Sequence, residues 1–274
     1  MGEFCDWAYI PECINPVMFH TGALEIRWYG VTYVIAFLIT YYLVFYRLKK
    51  EKFEFTKRAV SDFIFWAILG VLIGGRLGYV LFYDLKYFIT HPLRIISPFN
   101  FSGEFHYTGI YGMSYHGGLG GVLVAGFLFC RKKKINFWQF ADLFTPAVPL
   151  GYTFGRLANF INGELYGRVT DVSWGMYFPL DSTHQLRHPS QLYEAFFEGI
   201  FLFIILWSLR RVKYFDGFVF SLYLFSYGAL RFFIEFFREP DSQIGFILDK
   251  FTMGQILCSA MVLAGIFIFL FKKR

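Results

Sequence analysis

Residues 29–46, YGVTYVIAFLITYYLVFY, contain no charged side chain and give way at once to RLKKEKFEFTKR at 47–58. A helix rises about 1.5 Å per residue, so a run of this length approaches the roughly 30 Å of a bilayer's hydrocarbon core. Inside that core the backbone must satisfy its own polar groups, which an α-helix does and an open strand does not. The stretch is therefore expected to be a transmembrane helix ending in a basic flank.

The same pattern recurs along the rest of the chain. Further apolar runs cover about 59–83, 112–130, 137–158, 192–209, 217–237 and 251–271. The chain has 274 residues, 56% of them hydrophobic and 23% aromatic, and its charged share of 17% is below the roughly 25% of soluble domains. The fold class expected is an all-α integral membrane protein, one membrane domain over 1–274 with seven transmembrane helices. Residues 1–28 read as an extramembrane lead-in. The largest polar segment, 160–190, reads as a small extracytoplasmic insertion between helices four and five.

The net charge of +6 raises the question of a nucleic-acid partner. The basic residues, however, lie at the ends of the apolar runs. Sixteen Lys and Arg follow spans one, three, five and seven, against eight at the N-terminus and in the other loops, counting Arg156 at the outer end of span four, with Arg76 and Arg231 inside spans. The positive-inside rule then puts the N-terminus outside and the C-terminus in the cytoplasm. The basic balance is accounted for without nucleic acid.

Four cysteines show neither CxxC nor zinc-type spacing. Cys130 and Cys258 read as small apolar packing residues, while a Cys5–Cys13 bridge would require the lead-in to face an oxidising compartment and is not demanded by the sequence. No cleaved signal peptide or myristoylation signal is evident. Gly70, Gly74 and Gly78 in span two, and Gly117, Gly121 and Ala125 in span three, each form a one-sided stripe of small residues suited to close helix contact.

Polar side chains in apolar spans are costly and usually used. The segment 155–168, GRLANFINGELYGR, sets Arg156 and Asn159 three apart, on one helical face, at the outer end of span four. Snorkelling to headgroups explains one arginine. It does not explain Asn159, Asn162, Glu164 and Arg168 following so soon. In span six, Tyr227, Arg231 and Glu235 form a second polar stripe at four-residue spacing. A guanidinium paired with one carboxylate keeps donors for an oriented phosphate. His116 begins a glycine-rich turn at the outer end of span three and is a candidate base. That glycine run fails the dinucleotide-binding spacing, and His184 and His188 lack an acidic or cysteine partner, so no metal site is expected. GxSxG is absent, as is a pair of aspartates deep in spans.

RWYG at 27–30, YHGGLGG at 115–121, the 155–168 segment, HPSQLYE at 188–194 and YGALRFFIEFFREPD at 227–241 together resemble the bacterial prolipoprotein diacylglyceryl transferase family. The resemblance runs from span one to the start of span seven; the lead-in and residues 84–110 depart from it. It implies transfer of the diacylglyceryl group of phosphatidylglycerol to the lipobox cysteine thiol of a prolipoprotein, leaving a thioether and releasing glycerol phosphate. The implied partners are phosphatidylglycerol, lipobox peptides and membrane lipids. No cofactor is needed. The implied location is the bacterial inner membrane, with the site near the outer leaflet. In this reading Arg156 and Arg231 hold the phosphate, Asn159 and Tyr227 complete its hydrogen bonds, Glu235 orients Arg231 and His116 assists thiol deprotonation. Tyr29, Glu164, Gly167 and Arg168 line the site by resemblance. The rival class is an anion or lipid transporter or binding protein using the same arginines without chemistry; it should offer polar residues to both faces, whereas the cytoplasmic halves of these spans nearly lack them.

Overall fold

The computed structural model describes residues 6–21, 24–51, 53–82, 84–96, 99–100, 106–107, 114–239, 246–247 and 251–273. The chain is predominantly helical and divides into two compact units, one comprising Met1–Lys52 with Ala141–Arg274 and the other Phe53–Phe140. Among the described residues, four helices are long and apolar enough to cross a membrane: Trp28–Lys50 (α1), Lys57–Leu81 (in α2), Ser190–Leu209 (α6) and Met253–Lys272 (α8). They leave large side chains on their surfaces, among them Leu38, Tyr42, Ile73, Leu263 and Phe267. Such a belt suits lipid rather than water.

In the Phe53–Phe140 unit, α2 (Lys57–Phe82) packs on α3 (Tyr115–Lys133) through the two glycine stripes. A Cβ on Gly78 would come 2.6 Å from the Gly117 Cα, and one on Gly70 would come 2.7 Å from the Gly121 carbonyl oxygen. Only hydrogen at these positions lets the backbones approach so closely. Ser114 caps α3 by accepting from the Gly117 N–H at 3.2 Å. Arg76 is satisfied locally, donating to the carbonyls of Ile95 at 2.8 Å and Arg94 at 2.5 Å, with the Phe88 ring beneath it.

The other unit packs α1 against α5 (Val148–Ile161) and α7 (Phe218–Ile234) against α8. The apolar run at 137–158, expected to be one continuous helix, is broken. It forms α4 (Phe137–Phe144), a tight turn at Thr145–Ala147, and then α5. Pro146 and Pro149 lack the N–H that a continuous ladder requires, which accounts for the break. Within α6 the turns widen to π-helix over Ala195–Phe201.

Arg47, in the basic flank of the opening stretch, is completely buried. It donates to the carbonyls of Asp142 at 2.6 Å, Leu143 at 2.7 Å and Arg210 at 3.2 Å, and pairs with Glu51 at 2.7 Å. Glu51 also receives Arg210 at 3.1 Å. The Arg47 guanidinium thus covers carbonyls left open at the end of α4. The Asp142 carboxylate accepts from the backbone of Gly217 at 2.8 Å and Phe220 at 2.9 Å, capping α7.

The polar segment 160–190 has a small core of Phe160, Met176 and Phe178, against which Ile10 and Ile14 of the lead-in pack. Backbone bridges join Gly167 to Arg238 and both Val169 and Met176 to Arg187. The lead-in is tied to it by Tyr177 N–H donating to the Ala8 carbonyl at 2.7 Å and by Tyr9 stacking on Tyr177. Cys13 is disulfide-bonded, and Cys130 and Cys258 are free and buried; Cys5 lies outside the described residues.

Candidate active site

Arg156 and Asn159 share one face of α5, as their spacing predicts, with Arg156 Nη1 reaching Asn159 Oδ1 at 3.5 Å. The Asn159 amide donates to Glu164 Oε1 at 2.8 Å, across the turn in which Gly163 adopts a φ of 68°. Gln191 steadies that turn by donating to the Glu164 carbonyl at 2.7 Å, and Ser190 does so by donating to the Leu165 carbonyl at 3.1 Å. The motifs at 155–168 and 188–194 therefore fold against one another.

The second arginine comes from α7. Arg231 pairs with Glu235 one turn on, at 2.7 Å, and Glu235 in turn accepts from the Thr252 hydroxyl at 2.9 Å. Thr252 also caps α8, with Gln255 completing a capping box. Gly254 packs against the Glu235 carboxylate, where a Cβ would leave too little room.

Two carboxylates of α6 join these parts. Glu194 Oε2 lies 2.7 Å from Arg156 Nε, while its Oε1 lies 3.8 Å from Arg231 Nη1. Glu198 Oε1 is 3.9 Å from the same Nη1. The Tyr152 hydroxyl accepts from Arg156 Nε at 2.7 Å and stands 3.2 Å from Glu194 Oε2 and 2.5 Å from Glu198 Oε2. Both glutamates are fully buried, whereas the side chains of Arg156 and Arg231 keep 11% and 9% of their surface. The two arginine side chains thus keep a little surface in a network whose carboxylates keep none. Arg231 Nη1 is buried and makes no hydrogen bond among the described residues.

The remaining expected residues occupy different stations. Tyr227 is buried and packs edge-on against Tyr152. Tyr29 stacks on Tyr33, within electrostatic reach of Glu164 and Arg156. Gly167 is a backbone pinch, donating to the His188 carbonyl at 2.8 Å, and a Cβ there would come 2.7 Å from that oxygen. Arg168 clasps the end of α7 through the Phe237 and Arg238 carbonyls, both at 2.9 Å. His116 lies in the first turn of α3, in the other unit, and its side chain is outside the described residues.

Sequence reasoning passed over Tyr152, Glu194 and Glu198. The available signal was the pair of glutamates four apart in a phenylalanine-rich span, a spacing that puts both on one face. Beyond the network, Arg187 is bound bidentately by Asp181, at 2.7 and 3.0 Å, and reaches Glu239 at 3.2 Å. Burial opposes ionisation of Asp181, but hydrogen bonds from Arg187, Thr183 and Gln185 outweigh it and hold the carboxyl well below the ordinary carboxylate range. Burial lowers the His188 imidazole from its ordinary value, with Asp171 pulling the other way.

The family model for prolipoprotein diacylglyceryl transferase matches residues 16–271. A phosphatidylglycerol–prolipoprotein diacylglyceryl transferase of Chlorobaculum tepidum is 54% identical, covering 98% of this chain and 93% of its own. Proteins of the same name from Geobacter sulfurreducens and Campylobacter curvus are 47% and 45% identical, covering 92% and 98% of this chain and 93% and 97% of their own. With nearly its whole length matched on both counts, the chain belongs to the prolipoprotein diacylglyceryl transferase family.

Proposed function

We propose that the chain transfers the diacylglyceryl group of phosphatidylglycerol to the cysteine thiol of a prolipoprotein lipobox. The observation that carries this reading is the Arg156–Glu194–Arg231 network, with a buried Arg231 Nη1 that has no hydrogen-bond partner among the described residues. Two guanidiniums in one largely buried cluster suit a phosphodiester, and Nη1 supplies a donor for one of its oxygens. Relatives at 45–54% identity over nearly full length carry that activity in their names.

In the reaction the thiol loses its proton and the sulfur bonds to the glyceryl carbon. The bond from that carbon to the phosphate oxygen breaks, and its electron pair leaves with glycerol phosphate. An unperturbed thiol, with a pKa near about 8.5, needs help with the proton at neutral pH. Negative charge grows on the departing oxygen, where fixed cations lower the barrier. Arg156 and Arg231 hold the phosphate, Asn159 and Tyr227 complete the polar wall, and Glu235 fixes Arg231. Tyr29, Glu164, Gly167 and Arg168 shape the surroundings, and His116 assists the thiol. No metal or cofactor enters these steps.

We place the chain in the bacterial inner membrane as seven transmembrane helices, N-terminus outside, with 160–190 outside and the site near the outer leaflet. The excess of Lys and Arg after alternate spans supports this orientation, and so does a disulfide at Cys13, which suits an oxidising compartment. The test is to incubate purified protein with phosphatidylglycerol and a lipobox peptide and to weigh the peptide. Diacylglyceryl addition to its cysteine is expected; a folded, lipid-binding preparation that yields no adduct would overturn the reading in favour of binding without chemistry.

A further inference from the structure

We propose that Glu198 is held as a neutral carboxylic acid, donating its proton to the Tyr152 hydroxyl, and so acts as a positioning residue for the Arg156–Arg231 pair. The proposal rests on the reading that this pair receives a phosphate.

The argument begins with one proton. The Tyr152 oxygen stands 2.5 Å from Glu198 Oε2 and 3.2 Å from Glu194 Oε2 while accepting from Arg156 Nε at 2.7 Å. A phenol has a single hydrogen and can donate to only one carboxylate. With both glutamates ionised and Tyr152 donating to Glu198, the phenol oxygen and Glu194 Oε2 would have only the single Arg156 Nε–H to share. One added proton resolves this by forming a chain in which Glu198 donates to Tyr152 and Tyr152 donates to Glu194.

Pairing decides which glutamate carries the proton. Glu194 meets Arg156 at 2.7 Å and Arg231 at 3.8 Å, whereas Glu198 has only Arg231, at 3.9 Å. The more weakly compensated carboxylate is the one to neutralise. The charged and titratable groups facing Glu198 are Tyr152 and Arg156 of α5, Glu194 of its own helix, Arg231 of α7 and Cys258 of α8. Arg238 adds a further cation on the Glu194 side, so Glu198 is the less compensated of the two α6 carboxylates. With Glu198 neutral, an incoming phosphate meets Arg231 with one competing anion fewer beside it.

The primary test needs no substrate. Infrared spectra of the purified protein, with the glutamate carboxyls isotopically labelled to separate them from lipid esters, are expected to show a protonated-acid carbonyl band at neutral pH. Glu198→Gln should remove that band. Its absence from the wild type, or its persistence in E198Q, overturns the proposal. Thermal melting and size exclusion establish that the variants are folded. As a second readout, Glu198→Ala should slow transfer by about 10-fold or more, as expected when a buried hydrogen-bonded group is lost. E198Q, which keeps a neutral donor, should recover most of that loss, and an E198Q as slow as E198A would show that the charge is needed. A wild type that carries the band but forms no adduct would sink the proposed activity and leave the protonation state standing.

Discussion

Arg156 is engaged through Nε by Glu194 and Tyr152 and through Nη1 by Asn159, so its planar fork rather than its charge alone fixes the site. Lysine at that position supplies a cation but not this divided geometry. Arg156→Lys is accordingly expected to reduce transfer by about 100-fold, the scale of losing an oriented charge-stabilising donor, with little change in melting temperature. Transfer at the wild-type rate by a folded R156K would exclude the clamp. Asp181 offers a separate test. Its carboxyl is depressed by hydrogen bonds from Arg187, Thr183 and Gln185 against the opposing effect of burial. A depressed carboxyl stabilises the fold at pH values above the unfolded-state pKa of about 4, and that stabilisation fades as pH falls towards the folded-state value. Asp181→Asn should therefore cost about 3–5 kcal/mol at neutral pH, the range for breaking a buried ion pair. The gap in melting temperature between variant and wild type should narrow in acid, and a gap independent of pH would contradict this account. At this scale the cationic half of the site is legible in the chain, because Arg156 with Asn159, and Arg231 with Glu235, follow helical spacing. The carboxylate half is less so. Glu194 and Glu198 stand in a span that reads as lipid-facing, and only packing reveals that their face meets Tyr152 and Arg231.

The α2–α3 pair is held by surfaces from which side chains are missing, and the two stripes at Gly70, Gly74 and Gly78 and at Gly117 and Gly121 are visible as sequence spacing before any packing is known. Gly74→Leu should force the helices apart, because its Cβ alone would come 2.7 Å from the Gly121 Cα. The expected result is a large loss of melting temperature and of folded yield in detergent, whereas Gly120→Leu, at an open position on α3, should melt like the wild type. Equal behaviour of the two variants would remove the stripe as an explanation. The 137–158 run shows the opposite limit. Its hydropathy reads as one helix, but Pro146 and Pro149 break the ladder, and Asp142 can then cap α7 from the end of α4. Hydropathy records burial in lipid or protein and is blind to a missing N–H. The π turn over Ala195–Phe201, where Gly199 lies close against Thr153, was equally hidden.

Over the whole molecule, a segment rich in polar groups at 160–190 needs water on its side of the bilayer, while the basic ends at 210–213 and 272–274 favour the cytoplasm. The membrane class was therefore readable from composition and charge alone. The small core under that polar segment was not, because it borrows Ile10 and Ile14 from the far end of the chain. The orientation is directly testable by thiol labelling: among the described residues Cys13 is bridged and Cys130 and Cys258 are buried, and with the unmutated protein as the control for Cys5, a thiol introduced on the surface can be read against its background. Asp171 and Lys213 are both exposed, one in the polar segment and the other after α6. In intact spheroplasts, Asp171→Cys should react with a membrane-impermeant maleimide, while Lys213→Cys should react only after lysis. The reverse pattern would invert the topology and put Arg156 and Arg231 at the cytoplasmic face, where a secreted precursor's thiol could not reach them after crossing. Labelling of both positions in intact cells would mean that α6 does not span, and the seven-helix arrangement would fall with it.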